Sequence, residues 1–169
     1  RGAVSGRWLG DAYLVARMSR GTHHVTDASN ASRTLLFDIH SGEWSPELCA
    51  LFGVPKDALP EVVPSYGELG RTDPTCFLGL DLPITGIAGD QQAALVGQCA
   101  FERGDAKCTY GTGSFVLVNT GSDAVSSHAG LLTTVAFGSP DGRLTYALEG
   151  SVFVTGAAIQ WLRDGLGLI

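Results

Sequence analysis

Residues 84–119 constrain this chain more than any other stretch, because two glycine-bracketed turns there interrupt apolar runs. A short apolar run, residues 82–88, is broken by Pro83 and Gly86 and meets Gly89, then Asp90, Gln91 and Gln92. Residues 91–96 are good helix formers, with Gly97 placed as a stop signal. Asp90 therefore stands at a strand-to-helix junction, in the positive field of the helix N-terminus. Small neighbours (Gly86, Ala88, Gly89) let a ligand approach the backbone closely. The second turn, Thr109-Tyr110-Gly111-Thr112-Gly113-Ser114, falls between two strand-like runs. Taken singly, an N-capping Asp and a hairpin turn account for these features. Together they mark a small-molecule site.

At 169 residues the chain can bury a real core and would ordinarily count as one domain. Its 44% hydrophobic and 17% charged content fits a globular rather than a disordered protein. A net charge of −6, with no long basic run, argues against a nucleic-acid partner, which needs a basic face. No apolar run reaches the length of a membrane span and no charged-then-apolar leader opens the chain, a profile that suits the cytoplasm. The 4 cysteines, Cys49, Cys76, Cys99 and Cys108, contain no C-x-x-C pair, so free thiols are expected rather than zinc or a disulfide framework. His23 and His24 are adjacent on an extended segment and point to opposite faces, where they chelate poorly together. No metal site is expected.

Residues 1–21 carry Trp8, Leu9, Tyr13, Leu14, Val15 and Met18 at helical spacing, a core-facing stripe ending near Ser19, Arg20 and Gly21. Asp27, Ser29, Asn30 and Ser32 form a polar cluster able to satisfy backbone groups, and read as scaffolding for the site. Residues 33–39 are expected to carry Leu35, Leu36 and Phe37 into the core, as a strand or short helix. Ser45, Pro46 and Glu47 spell a helix start, with Leu48, Leu51 and Phe52 as its apolar face and Gly53 as its end. Pro55, Pro60 and Pro64 then chop the chain into turns, and residues 65–81 read as a polar connection. Residues 99–107 read as a charged surface turn. Residues 108–110 and 115–119 form a hairpin, and 133–137 and 144–149 a second pair joined through Pro140, Asp141 and Gly142. A helix is expected over 151–164, with Gly156 and Gln160 on one face.

The runs GIAGDQQAALVGQ and TYGTGSF resemble the glycerol-kinase branch of the FGGY carbohydrate-kinase family. So do His24-Val25-Thr26-Asp27 with Asn30-Ala31-Ser32-Arg33-Thr34, Gly130-Leu131-Leu132-Thr133-Thr134, Tyr146-Ala147-Leu148-Glu149-Gly150 and Gln160-Trp161-Leu162-Arg163-Asp164. The resemblance covers residues 24–169 in order, and residues 1–6 depart from it. It implies an α/β, actin-like ATPase (ribonuclease H-like) fold, with parts of two domains meeting at the active-site cleft. Residues 1–98 would close the first domain and 99–169 open the second.

The implied activity is ATP-dependent phosphorylation of glycerol to sn-glycerol 3-phosphate, with glycerol, ATP/ADP and Mg2+ as partners. By resemblance Asp90 is the general base, Asp90 and Gln91 contact glycerol, and Phe115 lines its carbon backbone or is plain core. Gly111, Thr112 and Gly113 take the phosphates of ATP, and Gly156 and Gln160 surround the nucleotide. A glycine turn supplying backbone N–H groups and a hydroxyl suits that role chemically. Several family parts have no counterpart here: an N-terminal glycine-rich hairpin with an Asp for phosphate and Mg2+, an Arg-Glu pair with a Tyr on glycerol, and a later adenine-binding region. The chain starts at Arg1 and stops just after a helical pattern, so it reads as an internal segment, expected to be inactive alone. The resemblance leaves open a homo-oligomer in the full-length protein. Residues 71–81 lack the family's glycine-rich regulatory loop, and Asp81 stands where an Arg would meet a sugar bisphosphate, so that regulation is not expected. Two alternatives remain: another FGGY kinase of xylulose or gluconate type, or a non-catalytic segment that only binds. Gln91-Gln92 and Asn30-Ala31-Ser32-Arg33 favour glycerol.

Overall fold

The computed structural model describes residues 9–169, so Trp8 and the divergent residues 1–6 lie outside it. Helix α1 (Gly10–Met18) buries Ala12, Val15 and Ala16, a narrower face than the sequence stripe, and leaves Tyr13 and Leu14 exposed. It closes where expected: Arg20 and Gly21 take positive φ, and the Gly21 N–H donates to the Ala16 carbonyl at 2.7 Å. Strand β1 (Val25–Asp27) is wholly buried and runs into the short helix α2 (Ala28–Ala31), which Asp27 caps. Strands β2 (Phe37–Asp38) and β3 (Glu43–Trp44) form a small antiparallel ribbon, with the Phe37 and Trp44 rings edge to face at 5.7 Å. Leu36 and Phe37 enter the core, but Leu35 sits at φ +60 with its side chain in solvent, contrary to expectation.

Helix α3 (Pro46–Leu51) begins as read, with the Ser45 hydroxyl accepting the Leu48 N–H at 3.3 Å. Its apolar face does not: Leu51 is 74% exposed, Phe52 is exposed, and Cys49 alone is buried. So short a helix has one inward position. Strand β4 (Glu61–Val63) pairs in parallel with β1. The connection expected over 65–81 is partly a hairpin arm, β5 (Tyr66–Arg71), antiparallel to β6 (Pro83–Gly86) with an irregularity between Tyr66 and Gly70. Gly67 and Gly70 hold φ +127 and +152, angles only glycine takes freely, and a Cβ on Gly70 would press on the His23 ring. Val15, Val25, Leu69 and Ile87 make a core here, with Val63 and Ile84 against it.

Helix α4 (Asp90–Gly97) buries Gln92 and Leu95. It packs on the sheet formed by β7 (Ala106–Tyr110), β8 (Ser114–Gly121), β9 (Leu132–Gly138) and β10 (Leu144–Val152), in the order β7-β8-β10-β9. The β7–β8 and β9–β10 pairs match the sequence reading. The second turns at Gly142, φ +83, where the Ser139 N–H donates to the Arg143 carbonyl at 2.9 Å. Ser151 and Val152 continue β10, opposite Phe115 and Ser114, so the last helix starts later than expected. It is α5 (Gly156–Gln160), followed by a π-helical turn, Trp161–Gly165.

Contacts group residues up to Gly89 with Phe137–Leu144 as one unit, and Asp90–Ala136 with Thr145–Ile169 as another. All four cysteines are free. Among the described residues no helix is long and apolar enough to cross a membrane.

Candidate active site

The backbone that delivers Asp90 is fixed by a buried carboxylate. Asp27 accepts the backbone N–H groups of Ser29 and Asn30, both at 3.0 Å, the Asn30 side-chain amide at 2.8 Å and the Ser65 hydroxyl at 2.6 Å. It also accepts the Ser29 hydroxyl at 3.0 Å, and that same oxygen accepts the Gly89 N–H at 2.9 Å. Ile87 is tied in by its N–H to the Ser65 carbonyl at 3.0 Å. A carboxyl group that accepts several donors at once fixes their directions together. The polar cluster read as scaffolding thus holds the residue just before Asp90.

Asp90 is the first residue of α4 and is exposed, with the acid at the positive end of the helix. The Gln91 Nε2–H donates to its Oδ2 at 2.9 Å. On the other side of that amide lies a residue that sequence reasoning missed. Lys107, read as part of a surface turn, is 4% exposed, on β7. Its Nζ donates to Gln91 Oε1, to the Thr109 hydroxyl at 2.9 Å and to the Phe115 carbonyl at 3.4 Å. Burial pushes the Lys107 ammonium below the ordinary lysine value, against the pull of the Asp90, Glu149 and Cys108 side chains. Glu149 is itself buried on β10. The available signal was a lysine alternating with Thr109 on the strand that enters the glycine turn. Gln92, the second amide, faces the opposite way: it is 2% exposed and reaches the Thr134 hydroxyl and the Val135 carbonyl at 3.5 and 3.4 Å. It is a packing residue.

The glycine turn is pinned to the chain that leads into α5. Gly111 N–H donates to the Gly113 carbonyl at 2.8 Å, closing the turn. Gly156 N–H donates to the Gly111 carbonyl at 3.0 Å, and Thr155 and Ala157 N–H groups to the Thr112 carbonyl at 2.9 and 3.2 Å. The Ser114 and Thr155 hydroxyls meet at 2.8 Å. A Cβ on Gly156 would collide with the Gly111 carbonyl, and one on Gly113 would lie 2.7 Å from the Val152 carbonyl. Gly111, Thr112, Gly113 and Gly156 are therefore brought together, with Gly111 and Thr112 exposed. Gln160, one turn along α5, is exposed and hydrogen-bonds Asp164 instead. Phe115 is half-buried on β8 between Thr109 and Ser151, and its carbonyl ties the hairpin to Lys107. The arrangement offers an exposed carboxylate with an oriented amide, and a rigid glycine turn carrying a hydroxyl. It can bind a hydroxyl compound and accept a proton.

The model for the FGGY family of carbohydrate kinases, N-terminal domain, matches residues 6–97, and that for the C-terminal domain matches residues 106–168. Plasmodium falciparum glycerol kinase, solved with ADP, superposes with a TM-score of 0.83 and 39% identity, over 91% of this chain and 31% of that one. Rhodospirillum rubrum xylulose kinase superposes with a TM-score of 0.76 and 25% identity, over 92% of this chain and 31% of that one. The chain spans under a third of the length of either protein. It has the α/β fold of the actin-like ATPases, and it belongs to the FGGY family of carbohydrate kinases.

Proposed function

We propose that this chain forms part of an ATP-dependent glycerol kinase yielding sn-glycerol 3-phosphate. The observation that carries the proposal is Asp90: an exposed carboxylate opening α4, with one oxygen engaged by Gln91. A glycerol hydroxyl donates to the other oxygen. As the hydroxyl oxygen bonds to the γ-phosphorus, the bond to the ADP oxygen breaks and the hydroxyl proton passes to Asp90. Gln91 offers its second N–H to a neighbouring hydroxyl, and Phe115 lies behind the carbon chain. Gly111, Thr112 and Gly113 receive the phosphates, with Gly156 and Gln160 toward the nucleotide. ATP reaches this chain as a substrate. The family also implies Mg2+, but among the described residues no group of three or more His, Cys, Asp or Glu could hold a metal ion. No step is assigned to it.

The family models, ending at 97 and beginning at 106, support a domain boundary near Gln98. Helix α4 then belongs to the first domain by sequence and to the second unit by packing. The same reading puts the activity in the cytoplasm.

Likeness to the xylulose kinase keeps a pentulose as the second reading. Gln92 no longer separates the two, being spent on packing, so the discrimination rests on Gln91 and on Asn30-Ala31-Ser32-Arg33. Glycerol-dependent ADP release from Mg-ATP by the whole kinase of which this chain forms part under this proposal, with xylulose in parallel, tests both. Asp90→Asn should lower turnover by roughly 10²–10⁴, the usual worth of a positioned base. Faster phosphorylation of xylulose would overturn the glycerol assignment. Binding of glycerol without turnover would support a binding-only segment.

A further inference from the structure

We propose that Lys107 is a positioning residue: it fixes which way the Gln91 carboxamide faces, and thereby which Asp90 oxygen is left for the substrate. The proposal rests on the reading of Asp90 and Gln91 as the acceptor-binding pair. An ammonium group donates hydrogen bonds and cannot accept them, so the Gln91 atom beside Lys107 Nζ must be the carbonyl oxygen. That turns the NH2 end toward Asp90, where Nε2 meets Oδ2 at 2.9 Å. With the amide reversed, its N–H groups would face an ammonium and its oxygen a carboxylate. Both contacts would be repulsive.

The ammonium is itself clamped from two strands. Thr109 on β7 and the Phe115 carbonyl on β8 take its remaining donors. The Asp90 and Glu149 carboxylates favour the charged form that the geometry needs, against the penalty of burial. The amide is therefore oriented before any ligand arrives, which is the use of a supporting residue behind a binding group. Asp90 Oδ2 is committed to Gln91, leaving Oδ1 to take the hydroxyl proton. Gln91 Oε1 is turned to Lys107, so Gln91 meets the substrate through its second N–H, as a donor. The group next to the reacting hydroxyl must then present a lone pair, as the neighbouring hydroxyl of a polyol does.

Two variants of the 15N-labelled chain test this, read by the side-chain N–H signals of Gln91, Gln92 and Lys107. Lys107→Met keeps the length of the side chain and removes the donor. The Gln91 NH2 signals should shift and exchange faster with water, while those of buried Gln92 on the same helix stay in place. Gln91→Ala reads the same bond from the half-exposed side, so it serves if the first variant does not fold. There the Lys107 ammonium protons should exchange roughly tenfold faster, the worth of about one charge-assisted hydrogen bond. Glycerol binding by the whole kinase of which this chain forms part closes the cycle: Lys107→Met should weaken it roughly tenfold, and this loss should vanish in the Gln91→Ala background. Unmoved Gln91 signals, or an equal loss in both backgrounds, would overturn the proposal. Expected signal changes without any glycerol binding by the wild type would instead remove the acceptor assignment and leave the orientation of Gln91 standing.

Discussion

Gly113 and Gly156 are confined to glycine by the protein's own backbone, whatever ligand the turn receives. Each lies where a methyl group would meet a carbonyl oxygen of the opposing segment. Gly156→Ala should force that segment off the turn, at about 1–3 kcal/mol as in other overpacked sites, seen as a lower urea midpoint. Nucleotide affinity should fall with it if Thr112 touches phosphate, because Thr155, Gly156 and Ala157 donate to the turn's carbonyls. A fully stable Gly156→Ala chain would show that the turn yields more easily than its contacts imply. The glycines themselves stood out in the sequence, but this reason for them did not. Nothing in local order tells that residues 152–157 return to residues 111–113.

At the scale of elements, the segment between β6 and α4 shows how the chain leading to a candidate site residue is held by groups far from it in sequence. Ser29→Ala removes both the donor to Asp27 and the acceptor for the Gly89 N–H. Leaving the part-buried Gly89 N–H unpaired, with one donor fewer on Asp27, costs about 1–3 kcal/mol, and thermal melts should show it. The shorter, glycine-marked pieces were readable: α4, the β7–β8 hairpin and the turn at Gly142 all follow from stop residues and alternation. Strand β5 was hidden because Gly67 and Gly70 imitate a loop, although the sheet uses their extreme φ values. Leu51 and Phe52 misled because periodicity reports which residues could share a face, and not whether anything covers it. Lys107 was hidden for the converse reason. Its charge is favoured by Asp90 from α4 and Glu149 from β10, whose proximity no spacing rule conveys.

For the whole molecule, titration of a few groups sets how stability changes with pH. Lys107 has a folded-state value below the ordinary 10.5 of lysine. Below that lowered value both states hold the proton, and between it and 10.5 the unfolded chain binds more, so stability rises with pH across that window. Tyr110, whose value is raised from 10.0, acts in the opposite direction, so the Lys107 contribution is read as a rise in the urea midpoint of the wild type relative to Lys107→Met across this window. On the acid side, Asp38 is held low by the His40 N–H, Asp73 by the Thr75 hydroxyl, Asp141 by Ser139 and Asp164 by Arg163. Their contribution is complete above the unfolded aspartate value and is lost as pH falls through the lower folded ones. Stability should therefore hold through mild acid and decline below about pH 4.

The tip of the β9–β10 hairpin has a consequence for any attempt to divide this chain. Residues 137–144 group with the unit that ends at Gly89, and Gly138 exchanges hydrogen bonds with Ser65 at 2.9 and 2.8 Å. Leu144 lies beside Gly42. A chimaera spliced at one breakpoint after Gly89 would join a front half to a foreign tip, and the Ser65 hydroxyl and backbone N–H would have to find new partners. Swapping with a relative needs three junctions, so the interleaved path makes these two units inherit together.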